Sequence, residues 1–181
     1  MGRRWKTKFL VEVALDWRDR MVGLAEAALD SGALTEAMLF DTNYRPIPGS
    51  NPQRFTTLLT DWADANWRPQ IDTVLRQDPR FYGAVCTDMN GWLPTHSSDK
   101  SRQPTGDIDH DTRYCRNGRM IMEPEDKQAK LSNAPFLVAV YRHDLDSKRF
   151  TVLRNVYVPM VIRGRRWGDF ELAYSLDEVA R

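Results

Sequence analysis

The sequence predicts an α+β domain in which N-terminal helices pack on one side of a five-stranded antiparallel sheet. Three observations carry this expectation. Helical periodicity is confined to the part of the chain before Asp78-Pro79, an Asn-Gly pair separates two apolar runs between Phe81 and His96, and three β-rich runs follow one another from Asn133 to Ser175. Periodicities of 3.6 and 2 separate the two kinds of element.

Taken in order, Phe9, Leu10, Val13, Leu15, Trp17, Met21, Val22, Leu24, Ala25, Ala28 and Leu29 recur at helical spacing, with Glu12, Asp16, Arg18, Asp19, Arg20 and Glu26 on the other side. One helix over the first thirty or so residues is expected, ended by Asp30-Ser31-Gly32 with glycine at the C-cap. Its broad apolar face suits its own sheet, a second subunit, or both. A short helix from Leu34 to Leu39 leads into 40–52, where three prolines, a glycine and two asparagines exclude regular structure. Helix is expected again after Asn51, with Pro52 at its first position and Phe55, Leu58, Leu59, Trp62, Ala63 and Ala65 on its buried side, until Pro69 kinks or breaks it.

From Phe81 the pattern becomes that of strands. Phe81 to Asp88 and Trp92 to His96 flank Met89-Asn90-Gly91, a strong short-range hairpin signal. Ser97 to Ser132 is polar and turn-rich, with helical turns expected near Tyr114 and from Asp126 to Leu131; a connection of that length is usually a lid or a ligand clamp. The final meander begins with the continuously apolar Phe136 to Tyr141, which reads as a strand covered on both faces. A turn is expected at 144–148. The run from Phe150 to Met160 contains Pro159, which suggests an edge or a bulge. Gly164 supplies the tight turn before Trp167 to Tyr174.

Length and charge narrow the classes. At 181 residues the chain holds one domain plus a helical arm: residues 1–32 are assigned to a packing or dimerisation arm and 33–181 to the sheet-containing domain. Twenty-six basic and 25 acidic residues leave a net charge of +1, so nothing marks the chain for nucleic acid. Arg163, Arg165 and Arg166 read as a solvated hairpin tip. No apolar run approaches the roughly 20 residues that span a bilayer, so a cytoplasmic protein without membrane insertion is expected. Cys86 and Cys115 lack metal or disulfide spacing and are expected to be reduced.

Several motifs stand in a characteristic order. They are Phe40-Asp41 with Tyr44-Arg45-Pro46-Ile47-Pro48-Gly49 and Asn51-Pro52, Asp88-Met89-Asn90-Gly91 with Leu93-Pro94-Thr95-His96, and Cys115-Arg116-Asn117 with Arg119. Pro135-Phe136-Leu137 with Tyr141-Arg142-His143-Asp144 and Val161 to Gly168 with Leu172-Ala173-Tyr174 complete the series. This string, over about Leu24 to Tyr174, resembles the PAS/Cache-like sensor module of bacterial methyl-accepting chemotaxis proteins. Ser97 stands where the family pattern has asparagine, and Glu123 to Lys127 where it is more apolar. No transmembrane pair and no long heptad hairpin accompany the motifs.

The resemblance implies a non-enzymatic sensing domain that binds a small molecule, signals through helix packing as a homodimer and meets chemoreceptor-type signalling partners. In such a sheet the hairpin end, the long connection and the first meander strand enclose the ligand. The candidate ligand-binding residues are therefore His96, Cys115, Arg116, Asn117, Arg119, Tyr141 and Arg142. Arginine suits a carboxylate or phosphate because its planar fork donates two parallel hydrogen bonds, and an anionic or amide-bearing metabolite fits that set. The competing reading has Arg116 and Arg119 pin the loop through Asp107, Asp109 and Asp111. His96 as a haem ligand would need a large apolar pocket besides, so no cofactor is assigned. Cys115 is either inert or made acidic by Arg116, and His110, between two aspartates, holds a metal only if a further ligand lies near it in space. No metal site is assigned. Nucleophile elbow, phosphate loop and HExxH are all lacking, so no catalytic residue is assigned. A ligand-free dimeric scaffold is the alternative, and behind it stands an enzyme with a Cys115 and His96 or His110 nucleophile pair, since nucleophile and base need only be near in space.

Overall fold

The computed structural model describes residues 2–144 and 150–175. The helices are α1 (Gly2–Ser31), α2 (Glu36–Leu39), α3 (Thr60–Asn66), α4 (Arg68–Leu75), α5 (Ile108–Tyr114) and α6 (Pro124–Leu131). The strands are β1 (Arg45–Pro46), β2 (Phe55–Thr56), β3 (Phe81–Asp88), β4 (Leu137–Asp144), β5 (Phe150–Ile162) and β6 (Arg165–Ser175). The main sheet is antiparallel, in the order β3-β6-β5-β4.

Among the described residues four strands, not five, make this sheet. The Asn90-Gly91 turn does form, since Asp88 N–H donates to Trp92 O at 3.0 Å, but the ladder stops there. The Asp88 carboxylate takes the N–H groups of Asn90 and Trp92 at 2.8 and 2.9 Å, and Pro94 has no N–H to offer. Leu93 pairs with the long connection instead: its N–H donates to Arg119 O at 3.0 Å, and its carbonyl accepts from Gly118 at 2.7 Å. Trp92 to Ser97 is buried without being a strand.

Helix does not begin at Pro52. Phe55 and Thr56 pair with Pro46 and Arg45, and the helix starts at Thr60. It breaks at Trp67, just ahead of Pro69, as the sequence suggested. The continuously apolar β4 is an edge strand with Val140 60% exposed, so an unbroken apolar run did not mean cover on both faces. Pro159 lies in an interior strand, but beyond the last residue paired to β4 and beside a bulge at Met160/Val161, where a missing N–H costs no ladder bond on that side. The turn expected at 144–148 falls, from 145 onward, outside the described residues.

The core lies between the helices and one face of the sheet. From α1 a narrow stripe, Leu10, Ala14, Trp17, Met21 and Ala25, packs along β5 and β6. Trp67 is fully buried, stands edge-on to Trp62 and Trp167 at centroid distances of 5.4 and 5.0 Å, and donates its indole N–H to Met21 O. Both Trp62 and Trp67 are thus spent on this core. At the β5–β6 turn Arg163 and Gly164 both have positive φ, the geometry that a two-residue hairpin requires. The basic tip is engaged: Arg163 pairs with Asp30 of α1, Arg165 covers the Phe40 ring and Arg166 pairs with Asp169.

Candidate functional site

Strand alternation divides the sheet into two unlike faces. Ala84, Cys86, Val156, Val158, Met160, Phe170, Leu172 and Tyr174 look toward the helices and build the core. Their neighbours Thr87, Asn155, Tyr157, Asp169 and Glu171 look the other way, and all are buried. Helix α6 crosses this second face. A capping box of Glu123 and Asp126 with Pro124 in the first turn starts it there.

The buried polar groups form one network. Lys130 donates to Thr87 Oγ1 at 2.6 Å, and Thr87 donates to Glu171 Oε1 at 2.6 Å. Asn155 Nδ2 donates to Glu171 Oε2 at 3.1 Å, and Tyr157 donates to Asp126 Oδ1 at 2.9 Å. Asp169 holds Lys130 at 2.7 Å on one oxygen and Arg166 at 2.5 Å on the other; the lysine is an ion-pair partner without hydrogen-bond alignment. Asn155 Oδ1 is buried with no partner among the described residues.

Glu171 is pushed up to about 7, first by burial and then by Asp126 and Asp169, against the lowering effect of Lys130 and the Thr87 hydroxyl. A carboxyl raised in the folded state stabilises the fold below its unfolded value of 4.5 and loses that contribution as pH rises through 7. Glu171→Gln should therefore gain on the parent chain by up to about 3 kcal/mol between pH 4.5 and pH 8. Urea midpoints at several pH values check this, and a difference that stays flat with pH would refute it.

The long connection supplies the cationic side. Arg116 is partly buried and lies near Tyr82 of β3 and Tyr141 of β4, which both feel its charge. Burial lowers its pKa, and its guanidinium has no ion-pair partner among the described residues. His96 is buried and held down to about 3, by burial first and then by Arg116 and Lys100. Its Nδ1 accepts from Ser97 N–H at 2.8 Å, so the neutral ring carries its proton on Nε2. Arg119 also lies within the field of Arg116 and donates to Thr112 O at 3.3 Å. Tyr141 is raised to about 12, with burial the main cause and Glu171 next.

Of the seven residues singled out in the sequence, His96, Arg119 and Tyr141 each lie within the electrostatic reach of Arg116. The other three serve elsewhere. Asn117 accepts from Arg54 at 3.1 Å and ties the connection to the β1–β2 corner. Cys115 donates to Arg102 O at 3.2 Å, and burial followed by Asp111 raises its thiol, the reverse of an activated cysteine. Arg142 alternates onto the face opposite Tyr141, where it is exposed and stacks on Phe150 at 4.2 Å. Neither Arg116 nor Arg119 pairs with Asp107, Asp109 or Asp111 among the described residues. Asp107 caps α5 through His110 N–H, and Asp111 accepts from the N–H groups of Thr105 and Gly106 at 2.8 and 3.0 Å.

Ligand atoms of His110, Asp111 and Cys115 lie within 4.8 Å of one another. The donor set fits a metal poorly, because the Asp111 carboxylate is occupied by two backbone donors and by His110 Nδ1 at 2.9 Å while the thiol favours its protonated form. Sequence reasoning missed Thr87, Asn155, Asp169 and Glu171. The alternation Asp169, Glu171, Ala173, Ser175 against Phe170, Leu172, Tyr174 was the available signal for a polar inner face.

No protein-family model matches the chain, and no curated protein matches it. Among solved structures it is similar to the ligand-binding domain of the Campylobacter jejuni chemoreceptor Tlp3, in complex with L-valine, at 12% identity and a TM-score of 0.40. That match covers 93% of this chain and 56% of the other. It is also similar to a domain of a Vibrio parahaemolyticus protein described as sensory box/GGDEF family, at 11% identity and a TM-score of 0.40, over 94% of this chain and 62% of the other. The chain thus spans about three-fifths of the lengths of these two solved chains. No described helix is long and apolar enough to cross a membrane.

Proposed function

We propose that this chain is a non-catalytic sensing domain that captures a small carboxylate-bearing molecule over the polar face of its sheet, with Arg116 as the anion-binding group. One observation carries the reading: a partly buried guanidinium without an ion-pair partner among the described residues, beside two tyrosines. An unpaired cation in such a place lowers stability unless an anion joins it. The Nε2–H of neutral His96 is a second donor nearby, and the motif string of the sequence supports the same reading.

The output is a change in helix packing. Helix α1 lies along β5 and β6, the strands whose opposite side carries Asn155, Tyr157, Asp169 and Glu171, so a ligand-biased shift of those strands reaches α1 directly. A homodimer through the exposed remainder of α1, in the cytoplasm, completes the proposal.

Thermal-shift screening with small mono- and dicarboxylates tests it, because a ligand bound only by the native state raises Tm. Arg116→Gln should weaken any hit by roughly 100-fold, as expected when one partner of a desolvated charge pair is removed. The same substitution should leave the unliganded Tm unchanged or higher. Hits that bind equally well to Arg116→Gln, or a large loss of unliganded stability, would mean that Arg116 is structural.

A further inference from the structure

One register row on the polar face of the sheet is nearly bare. Pairing sets Gly83 opposite Ala173, Ala173 opposite Asn155, and Asn155 opposite Ala139. From β3 to β4 the row therefore carries a hydrogen, a methyl, a carboxamide and a methyl. The row on one side is Val85, Glu171, Tyr157 and Leu137, and on the other Ser175, Leu153 and Tyr141 follow one another across β6, β5 and β4. Larger side chains thus stand on both banks of a shallow trough, which α6 covers at the β4 end, where Ala129, Ala139 and Tyr157 pack together. With strands spaced at about 4.8 Å, the trough crosses the sheet for roughly 14 Å. A Cβ added at Gly83 would meet nothing within 4 Å, so its β3 end has open space above it.

A row of small residues could simply be loose packing, but this one contains a polar group with an unmet need. Asn155 is 6% exposed. Its Nδ2 donates to Glu171 Oε2 at 3.1 Å, an orientation enforced whenever Glu171 is ionised, because the ionised carboxylate only accepts. Oδ1 is left as a buried acceptor with no donor among the described residues. Leaving such an atom unsatisfied costs about 1–3 kcal/mol, and a ligand that supplies the donor recovers it.

We propose that Gly83, Ala173, Asn155 and Ala139 form the floor of a ligand subsite in which Asn155 Oδ1 accepts a hydrogen bond from a nitrogen of the ligand, an amide N–H or a protonated amine. This rests on the reading of Arg116 as the carboxylate-binding group and extends it: the ligand carries a carboxylate at one end and a nitrogen donor at the other. A second carboxylate in the donor position is disfavoured, since it would meet the Asn155 carbonyl and Glu171.

Four series of probes of matched chain length, three to six carbons, separate these chemistries: plain alkanoates, ω-aminoalkanoates, ω-monoamides of dicarboxylic acids, and the dicarboxylates. Calorimetry and thermal shift on the whole chain should show at least one donor-bearing series binding ten-fold or more tighter than its alkanoates, with dicarboxylates gaining nothing. Whether the amine or the amide series wins identifies the donor. Asn155→Leu should erase the preference over alkanoates. Ala173→Val should narrow the trough and abolish the response to donor-bearing probes, while Ala139 is left unchanged because it packs with Ala129 of α6 and Tyr157. Gly83→Ala, with free space at its Cβ, is a milder filler that guards against misfolding of Ala173→Val. Equal affinity for alkanoates and donor-bearing probes, all lost in Arg116→Gln, would overturn the donor subsite and leave the carboxylate site standing. No binding in any series would remove both.

Discussion

Asp169→Ala is expected to lower the stability of the fold by about 3–5 kcal/mol, the range for removing one partner of a buried ion pair. Asp169 is completely buried and receives Lys130 at 2.7 Å and Arg166 at 2.5 Å. Lys130 is itself 8% exposed, and its other contacts are the hydroxyl and carbonyl of Thr87, which offer dipoles but no charge. Without the Asp169 carboxylate, the acids left in the field of Lys130 are Glu171, reached through the Thr87 hydroxyl, and Asp88, neither of which pairs with it directly. Arg166 can turn outward, since its side chain keeps 23% exposure, but Lys130 is enclosed. Urea unfolding measures the loss, which for a chain of this size corresponds to a fall in Tm of roughly 10–15 °C. Asp169→Leu combined with Lys130→Met should recover much of it, because the penalty lies in the orphaned charge and not in the missing pair. A loss under about 1 kcal/mol for Asp169→Ala would show that water reaches Lys130.

Gly168→Ala should be as damaging, for a steric reason. A Cβ at Gly168 would sit 1.9 Å from Thr87 O and 2.7 Å from Asp88 Cα. Both are backbone atoms of the neighbouring strand, so no side-chain rotation relieves the clash, and β3 and β6 would have to separate where Gly168 pairs with Asp88. A cost above about 3 kcal/mol is expected, at the severe end for overpacking. Gly83→Ala on the same strand pair is the control: with nothing within 4 Å of the added methyl, it should be neutral or slightly stabilising. Circular-dichroism melts of the two variants compare them directly, and equal melts would contradict the close approach at Gly168.

In the proposed site Arg116 and Asn155 ask for opposite things from a ligand, an anion and a donor, and they belong to parts of the chain far apart in sequence. That separation limits what a linear string shows of the candidate site. Arg116, Arg119, His96 and Tyr141 could be named because arginine-rich loops and a histidine at the end of an apolar run are conspicuous in a linear string. Arg142 is as conspicuous as its neighbour Tyr141, but period 2 separates them, since adjacent strand residues face opposite sides. Cys115 and Asn117 lie on either side of Arg116, yet one turns to Arg102 O and the other to Arg54.

The order of helices, the long connection and the final meander was determined by the sequence alone, because hydrophobic period, proline and glycine act within a few residues of themselves. Tertiary structure alone decided that the run after Asn90-Gly91 joins the connection and not the sheet, because the choice turned on an aspartate side chain taking two backbone donors. It alone brought Gly83, Ala139, Asn155 and Ala173 into one row, for register is a property of paired strands, and no single strand carries the information about which residue will stand beside it.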